Sequence, residues 1–284
     1  MSAAVQLQER SEASLDIRPL QPTIGAEIAG VDLRQPLSDA VRDEIRAAVL
    51  KHKVVFFRDQ DLIREQHEAF AKQFGPLYTH PSTTSVAQVP AIHQIVPHEV
   101  KPVIADPKAA FRDGYHTDTS WRLVPAWGAV LRAVNLPPVG GDTIWVDAGL
   151  AYRELSDELK QRLDGLHVTH DFRSSLNRAG HDYPIVAHPI VRTHRETGEK
   201  ILWVNFSQSP SIVGLDRAEG HELLTRVLDQ YRRPEFQVRF SWRPGSIAFW
   251  DNRAAVHYAV RNYGDFPRLM ERVLIADERL HADL

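Results

Sequence analysis

The sequence predicts a mainly β protein, built as a barrel or jelly roll with a few helices at its periphery. Many short segments rich in β-branched and aromatic residues are separated by turns that contain Pro or Gly, and this pattern is typical of all-β architectures. Four amphipathic segments between them predict helices. A parallel α/β sheet is the alternative, but strands and helices do not alternate regularly enough to favour it.

The first quarter of the chain combines short strands with two helices. Residues 17–33 predict short strands broken at Pro and Gly, and residues 54–58 predict a buried strand. The helix between them, residues 37–53, begins at Ser38, which is a favourable N-cap. Residues 63–73 predict the second helix. The apolar face of the first helix consists of Val41, Ile45, Ala48 and Val49.

Strands predominate in the rest of the chain. Residues 80–115 carry scattered prolines without periodicity and are expected to form a long functional loop. Residues 173–184 predict a polar loop, and helices are predicted at 156–166 and at 216–233, the latter capped by Asp216. The predicted strands are alternating or continuously apolar between turn residues, and they comprise 126–134, 142–147, 167–172, 200–206, 236–242, 247–250 and 268–276.

Composition restricts the classes of function. The chain has 284 residues and no cysteine, so disulfides, thiolate nucleophiles and Cys-based metal sites are excluded. A formal net charge of −3 favours neither nucleic acid nor an anionic membrane as a partner. The sequence shows no hydrophobic signal segment and no membrane-spanning run. We therefore expect one cytoplasmic domain over residues 1–284, with residues 1–15 disordered.

A histidine and an aspartate stand two positions apart in YHTDTSW, at His116 and Asp118. One such pair is close to chance in a chain with 14 histidines, and a second pair occurs at His281 and Asp283. On a strand, residues i and i+2 point to the same face. His116 and Asp118 are therefore predicted to offer an imidazole and a carboxylate side by side.

One more histidine would complete a set of two histidines and one carboxylate. This set is typical of non-haem Fe(II) sites, because it leaves coordination positions open for a chelating cosubstrate and O₂. His257 is the best candidate. It lies in FWDNRAAVHYAV, just after a predicted strand and a tight turn, and apolar residues flank it.

Two arginines follow His257 at a spacing that suggests a ligand. Arg268 and Arg272 are four positions apart on a predicted strand, so they share one face. Arginines on an otherwise apolar face are costly unless they meet anions. They could form salt bridges with acids such as Asp251 or Glu271. Alternatively, they could hold the carboxylate of a ligand, which the planar guanidinium suits.

With these residues in place, the chain resembles the TauD/TfdA group of Fe(II)/2-oxoglutarate-dependent dioxygenases over about residues 17–276. The resemblance depends on the order and spacing of several motifs rather than on one of them. The motifs are GAEIAGVDL, FGPLYTHP, YHTDTSW, VGGDT, HDFR, HPIVRTHRETGEK, PEFQVRFSWRPGSIAFWDNRAAVHYA and PRLMERV.

The resemblance implies a double-stranded β-helix, that is, a cupin-like jelly roll, with His116, Asp118 and His257 as Fe(II) ligands. It also implies a reaction with O₂ that converts 2-oxoglutarate into succinate and CO₂ while a substrate is oxidised. Related halogenases have a small residue in place of the acidic ligand. Because Asp118 is an intact carboxylate, the resemblance implies hydroxylation rather than halogenation.

Three further residues match cosubstrate positions in the family. Arg268, eleven residues after His257, matches the arginine that holds the far carboxylate of 2-oxoglutarate. Thr143 in GGDT matches its hydroxyl partner. Arg272 matches a residue near the keto-acid end, which also contacts an anionic substrate. Trp250 and Asn252 in FWDNR are expected to be architectural.

The substrate positions agree only in part with the taurine enzyme. His80 and Arg272 match its sulfonate-binding residues, whereas Thr83, Arg112 and Leu176 depart from its pattern. These departures argue against taurine itself and favour another small anionic substrate, such as a sulfonate, an alkyl sulfate or a carboxylic acid. Arg112 could pair with such an anion, or it could be a surface arginine beside Asp113.

Two alternatives to an oxygenase with a small anionic substrate are left open at this level. The same chemistry could act on an amino acid or on an intermediate of secondary metabolism. A zinc hydrolase or a non-catalytic jelly-roll binding module is the remote alternative, because neither has a use for the paired arginines. Since relatives often form dimers or tetramers, the resemblance also implies a homodimer or a homotetramer.

Overall fold

Two β-sheets face each other in the computed structural model, which describes residues 14–79, 91–95, 113–173 and 184–277. The prediction of a mainly β chain with peripheral helices is confirmed. The strands, numbered in chain order, are β1 (Asp16–Pro19), β2 (Ala26–Ala29), β3 (Val54–Phe57), β4 (Leu77–Tyr78), β5 (Ile92–Ile95), β6 (Gly128–Asn135), β7 (Thr143–Asp147), β8 (His167–His170), β9 (Val186–Pro189), β10 (Val191–Thr193), β11 (Lys200–Leu202), β12 (Gln237–Phe240), β13 (Ile247–Asp251), β14 (Ala255–Ala259) and β15 (Leu269–Ile275).

The helices cover the outer faces of these sheets. They are α1 (Asp39–His52), α2 (Arg64–Lys72), α3 (Ala148–Arg153), α4 (Asp157–Leu163) and α5 (Arg217–Tyr231). Ser38 and Asp216 accept hydrogen bonds from the first backbone N–H groups of α1 and α5, so both predicted N-caps are confirmed. No helix in the described part of the chain is long and apolar enough to cross a membrane.

The larger sheet has the strand order β1-β2-β3-β13-β6-β15-β4. β2 and β3 pair in parallel, and the other neighbouring strands are antiparallel. β15 lies against β6 on one side, and against β4 and β5 on the other side. This central position matters for the site, because β15 carries Arg272.

The smaller sheet has the order β12-β7-β14, and the backbone of His116 extends it. His116 and His257 exchange both backbone hydrogen bonds, at 2.9 and 2.8 Å. The two histidines are therefore a directly opposed cross-strand pair, although they are 141 positions apart in the sequence. Two short antiparallel hairpins, β8-β9 and β10-β11, accompany this sheet.

Side chains alternate in direction along each strand. Those that point between the two sheets form an inner core, and those that point away from the other sheet form an outer core. On β13, Ala248 and Trp250 point between the sheets, whereas Ile247 and Phe249 pack on the side of α1 and α2. The inner cluster also contains Trp145 of β7, so it joins the two sheets. Because the pleat has a period of two, every position of a fully buried strand such as β13 is assigned to one of these cores.

Outside the site, three parts of the secondary-structure prediction are wrong. Residues 92–95 form β5 and pair with β15, although they lie in the segment predicted as one long loop. The strand predicted for residues 200–206 ends at Leu202, and residues 206–208 form a short 3₁₀ turn. The sequence also missed α3, whose N-cap is Asp147, the last residue of β7. No helix start was predicted there because the capping aspartate is also the last residue of a strand.

Candidate active site

The structure brings His116, Asp118 and His257 together between the two sheets. One ligand-type atom from each lies within 4.8 Å of the other two. Nε2 of His257 is 3.7 Å from Oδ1 of Asp118, and Nε2 of His116 is 4.0 Å from the same oxygen. The two imidazole rings are 4.1 Å apart because their backbones are paired.

The surroundings of both histidines favour the neutral form that a metal ligand needs. Burial lowers the pKa of His116, and the nearby Asp118 offsets only part of this effect. Burial and the neighbouring His116 hold the pKa of His257 well below its usual value. Nδ1 of His116 donates to the carbonyl oxygen of Gly114 over 2.7 Å, so its Nε2 has a free lone pair on the side of Asp118. Two neutral imidazoles and one carboxylate are a donor set that fits Fe(II).

The segment that carries Asp118 is not the strand predicted for YHTDTSW. His116 forms an isolated bridge with His257, and the chain turns over residues 118–121. Thr119 has a φ of 53°, a left-handed conformation that is uncommon for a β-branched residue. The expected proximity of His116 and Asp118 is therefore present, but a turn produces it rather than the pleat of a strand.

Two buried asparagines replace the missing strand pairing of this turn. Asn252 accepts the N–H of Asp118 over 2.8 Å and donates to the carbonyl oxygens of Asp118 and Ala126. Asn205 donates to the carbonyl oxygen of Thr117 and to Oγ of Ser120. Asn205 was not predicted to belong to the site, and Asn252 was expected to be architectural only. A side chain that bonds to a distant backbone leaves no periodic signal in the sequence.

Arg272 reaches the site from the larger sheet. Its Nη1 lies 2.5 Å from Oδ1 of Asp118. On the same strand, Met270 and Leu274 also point to the inner core, whereas Glu271 points outward. Neither acid named for a salt bridge pairs with these two arginines, because Glu271 pairs with Arg64 and Arg132, and Asp251 pairs with His194 and Arg253. Arg272 forms its salt bridge with Asp118 instead.

Arg268 and Thr143 are the two residues predicted to bind the far carboxylate of the cosubstrate. Nε of Arg268 donates to the carbonyl oxygen of Gly141, two residues before Thr143. Within the described residues, no carboxylate lies at ion-pair distance from the buried Arg268 guanidinium, and burial lowers its pKa. Oγ1 of Thr143 accepts from Nε1 of Trp242 over 3.0 Å, so the hydroxyl hydrogen is left for a ligand.

The remaining candidate residues lie outside the described part of the chain. This applies to His80, Thr83, Arg112 and Leu176, for which the structure gives no contacts. The second pair of a histidine and an aspartate, His281 and Asp283, also lies outside the described residues. The proposed substrate contacts are therefore supported by the sequence alone. The structure itself gives the positions of the metal-ligand cluster, Arg268 and Arg272.

Comparison with known proteins agrees with this geometry. Residues 16–274 match the family model described as "Taurine catabolism dioxygenase TauD, TfdA family". An alpha-ketoglutarate-dependent sulfate ester dioxygenase from Pseudomonas putida is 32% identical, over 98% of this chain and 95% of that protein. A (S)-phenoxypropionate/alpha-ketoglutarate-dioxygenase from Sphingobium herbicidovorans is 34% identical, over 87% of this chain and 89% of that protein.

A solved structure supports the same assignment. The crystal structure of a taurine dioxygenase from Burkholderia xenovorans aligns with a TM-score of 0.82 and 39% identity, covering 94% of this chain and 92% of that one. The prediction of a cupin-like jelly roll is thereby confirmed. Since the family model spans nearly the whole chain and the relatives match over most of their own length, the protein belongs to the TauD/TfdA family of 2-oxoglutarate-dependent dioxygenases.

Proposed function

We propose that this protein uses Fe(II), 2-oxoglutarate and O₂ to hydroxylate a small anionic organic substrate, with release of succinate and CO₂. One observation carries the proposal. One nitrogen or oxygen atom from each of His116, Asp118 and His257 lies within 4.8 Å of the others, and the surroundings lower the pKa of both histidines. This convergence fits a divalent metal, because three ligands on one side leave the other side open.

In this proposal, His116, Asp118 and His257 hold Fe(II), and Arg268 and Thr143 bind the far carboxylate of 2-oxoglutarate. Once bound, the metal supplies the activation of O₂ that accompanies the decarboxylation of 2-oxoglutarate. Arg268 suits its role because it is a buried cation for which the described part of the protein supplies no carboxylate. The cosubstrate would provide that carboxylate, and the Thr143 hydroxyl would donate a second hydrogen bond to it.

Arg272 has a double role in this arrangement. Its Nη1 holds Oδ1 of Asp118, so it fixes the carboxylate against rotation. The same guanidinium has further N–H donors, which can contact the keto-acid end of the cosubstrate or an anionic substrate.

The relatives support an anionic substrate. A sulfate ester carries a sulfate group and a phenoxypropionate carries a carboxylate, and the proteins named for these substrates match most of this chain. We propose His80, Arg112 and Leu176, together with Arg272, as the substrate-binding residues. Arg112 is the residue that most distinguishes this chain from the taurine pattern, so we propose that it contacts the anionic group.

The test is substrate-stimulated turnover. Succinate release and O₂ uptake would be measured with Fe(II) and 2-oxoglutarate across sulfonates, alkyl sulfates, aryloxy acids and amino acids. We expect one anionic class to stimulate both signals in a fixed ratio. The Asp118→Ala variant serves as the control and should show neither. Stimulation by neutral compounds alone, or turnover without Fe(II), would contradict the proposal.

We also propose that residues 1–284 work as one domain, in the cytoplasm, as a homodimer or a homotetramer. The support for one domain is the inner core, which joins both sheets through residues far apart in sequence, such as Trp145 of β7 and Leu274 of β15. Light scattering of the purified chain measures the assembly, and limited proteolysis tests the single domain. A monomer by light scattering, or two separately stable fragments, would contradict these parts.

A further inference from the structure

The geometry points to Asn252 as a positioning residue for the metal site: we propose that its carboxamide fixes the backbone of Asp118 and thereby sets how tightly the metal is held. The inference rests on the proposed function, since it assumes that Asp118 is a metal ligand. Asn252 thereby gains a role in metal binding, although the sequence predicted only an architectural role.

The Asn252 carboxamide bonds to the backbone of Asp118 as the backbone of a neighbouring strand would. Its Oδ1 accepts the N–H of Asp118 over 2.8 Å, and its Nδ2 donates to the carbonyl oxygen of the same residue over 2.8 Å. A second bond from Nδ2 reaches the carbonyl oxygen of Ala126 over 3.0 Å. Both amide hydrogens are therefore used, and the side chain is fully buried. One side chain thus satisfies both backbone groups of the ligand residue.

The turn needs such a restraint. Thr119, directly after Asp118, is held at a φ of 53°. A β-branched residue keeps this conformation only when the surrounding structure imposes it. Oγ1 of Thr119 accepts from the N–H of Ala126 over 2.8 Å, so Ala126 links the turn to the same asparagine. Without the carboxamide, the turn could relax towards extended backbone and move the Asp118 carboxylate away from the two histidines.

Asn252 is itself held rigidly. Its N–H donates to the carbonyl oxygen of Trp127 over 2.8 Å. The preceding Asp251 is buried, and it accepts from Arg253 and from His194 over 2.7 and 2.9 Å. Asn252 lies in the turn between β13 and β14, and β14 carries His257. The turn that links the larger sheet to the smaller one therefore bonds to the backbone of one ligand residue, and the strand that follows it carries another, which fixes the separation of the two.

The experiment compares Asn252→Ala and Asn252→Ser with Asn205→Ala. Asn205 is an equally buried asparagine that bonds to the same turn at Thr117 and Ser120 but not at Asp118. Co(II) serves as the probe. Its dissociation constant is measured by calorimetry, its visible absorption spectrum reports ligand geometry, and the thermal unfolding midpoint is recorded with and without Co(II).

We expect both Asn252 variants to bind Co(II) about 10- to 100-fold more weakly, the usual cost of removing a group that orients a metal ligand, and to show a changed spectrum. The Asn205→Ala variant should unfold at a lower temperature but keep the wild-type spectrum and an affinity within about threefold, since its contacts bypass Asp118. The smaller change, Asn252→Ser, keeps the test valid if Asn252→Ala does not fold.

Two outcomes would overturn the inference, and a third separates it from the proposed function. Wild-type Co(II) affinity and spectrum in a folded Asn252 variant would make Asn252 merely structural. Equal losses in the Asn205 variant would make the whole turn responsible rather than this residue. If the wild-type chain bound no Co(II), or if Asp118→Ala bound it normally, the proposed metal site itself would fail.

Discussion

Arg272 and Asp118 form an ion pair inside the jelly roll, with Nη1 of the arginine 2.5 Å from Oδ1 of the aspartate. The two side chains come from opposite sides of the inner core, one from β15 and one from the turn after His116. The same carboxylate oxygen faces Nε2 of His116 and Nε2 of His257. The orientation of Asp118 therefore couples the larger sheet, the smaller sheet and the proposed metal site.

Replacing Asp118 with alanine should abolish both iron binding and 2-oxoglutarate turnover. It should also lower the free energy of unfolding by about 3–5 kcal/mol, because Arg272 would be left as a buried unpaired charge. Iron content, succinate release and denaturant unfolding measure the three effects. If iron content and turnover were unaltered, the assignment of Asp118 would be wrong.

Replacing Arg268 with methionine should weaken the binding of 2-oxoglutarate but stabilise the ligand-free protein. The KM for 2-oxoglutarate should rise about 30-fold or more, since a hydrogen bond to a charged group contributes about 2 kcal/mol. The ligand-free protein should become more stable by about 1–2 kcal/mol, because a buried cation is removed. Arg243→Met, at an exposed position, is the matched control and should change neither quantity. An unchanged KM for 2-oxoglutarate in Arg268→Met would contradict the assigned role.

The hydroxyl of Thr143 should contribute both to the affinity for 2-oxoglutarate and to the stability of the protein. Thr143→Val should raise the KM for 2-oxoglutarate about fivefold to tenfold, and it should destabilise the protein by about 1–2 kcal/mol because Trp242 loses its acceptor. Thr143→Ser keeps the hydroxyl and should restore most of the cosubstrate affinity. Steady-state kinetics and thermal unfolding of the two variants test the prediction, and identical kinetics would refute the ligand role.

Buried histidines should make the protein sensitive to mild acid. Burial, with help from His188 and Arg192, lowers the pKa of His170 to about 3. Burial and Arg192 lower the pKa of His188 to about 4. Between about pH 4 and 6.5, the unfolded chain binds protons that the folded chain does not, so the free energy of unfolding falls as the pH falls.

The contribution of His170 can be isolated by substitution. His170→Leu should reduce the slope of unfolding free energy against pH in this window by up to about 1.4 kcal/mol per pH unit, the value for one proton. His167→Leu is the control, because His167 lies exposed on the same strand. Denaturant unfolding at several pH values gives the slopes. A slope equal to that of wild type in His170→Leu would show that this histidine is not the acid-sensitive group.

The proposed substrate contact of Arg112 has its own test. Arg112→Ala should raise the KM for the anionic substrate by at least about tenfold, as expected for the loss of a charge-assisted hydrogen bond, and should leave the KM for 2-oxoglutarate nearly unchanged. Kinetics with each compound varied separately gives both values. Equal effects on the two constants would count against the assignment.

The parts of the site that the sequence predicted belong to strongly patterned segments. His257 follows the apolar strand β13, Arg272 lies on β15, and Arg268 directly precedes β15. The strand assumed for His116 and Asp118 was wrong, yet the two side chains meet. A left-handed residue and two asparagines produce the turn, and neither feature alters the hydrophobic period from which strands are predicted.

The elements that the sequence missed are those without a period of their own. β5 has only four residues and depends on pairing with the edge of β15. α3 has six residues, begins at an aspartate that ends a strand, and contains Gly149 within its first turn. Segments this short take their conformation from tertiary contacts, so local sequence propensity decides little.

The outward pairing of Glu271 and the inward pairing of Arg272 make β15 intolerant of changes in length. An insertion or deletion of one residue ahead of them would exchange their faces. An insertion would place the glutamate opposite the carboxylate of Asp118, and a deletion would place the arginine opposite Arg64 and Arg132. Along β15, we therefore expect homologous chains to accumulate substitutions but not insertions or deletions, and changes in length to be confined to the connections between strands.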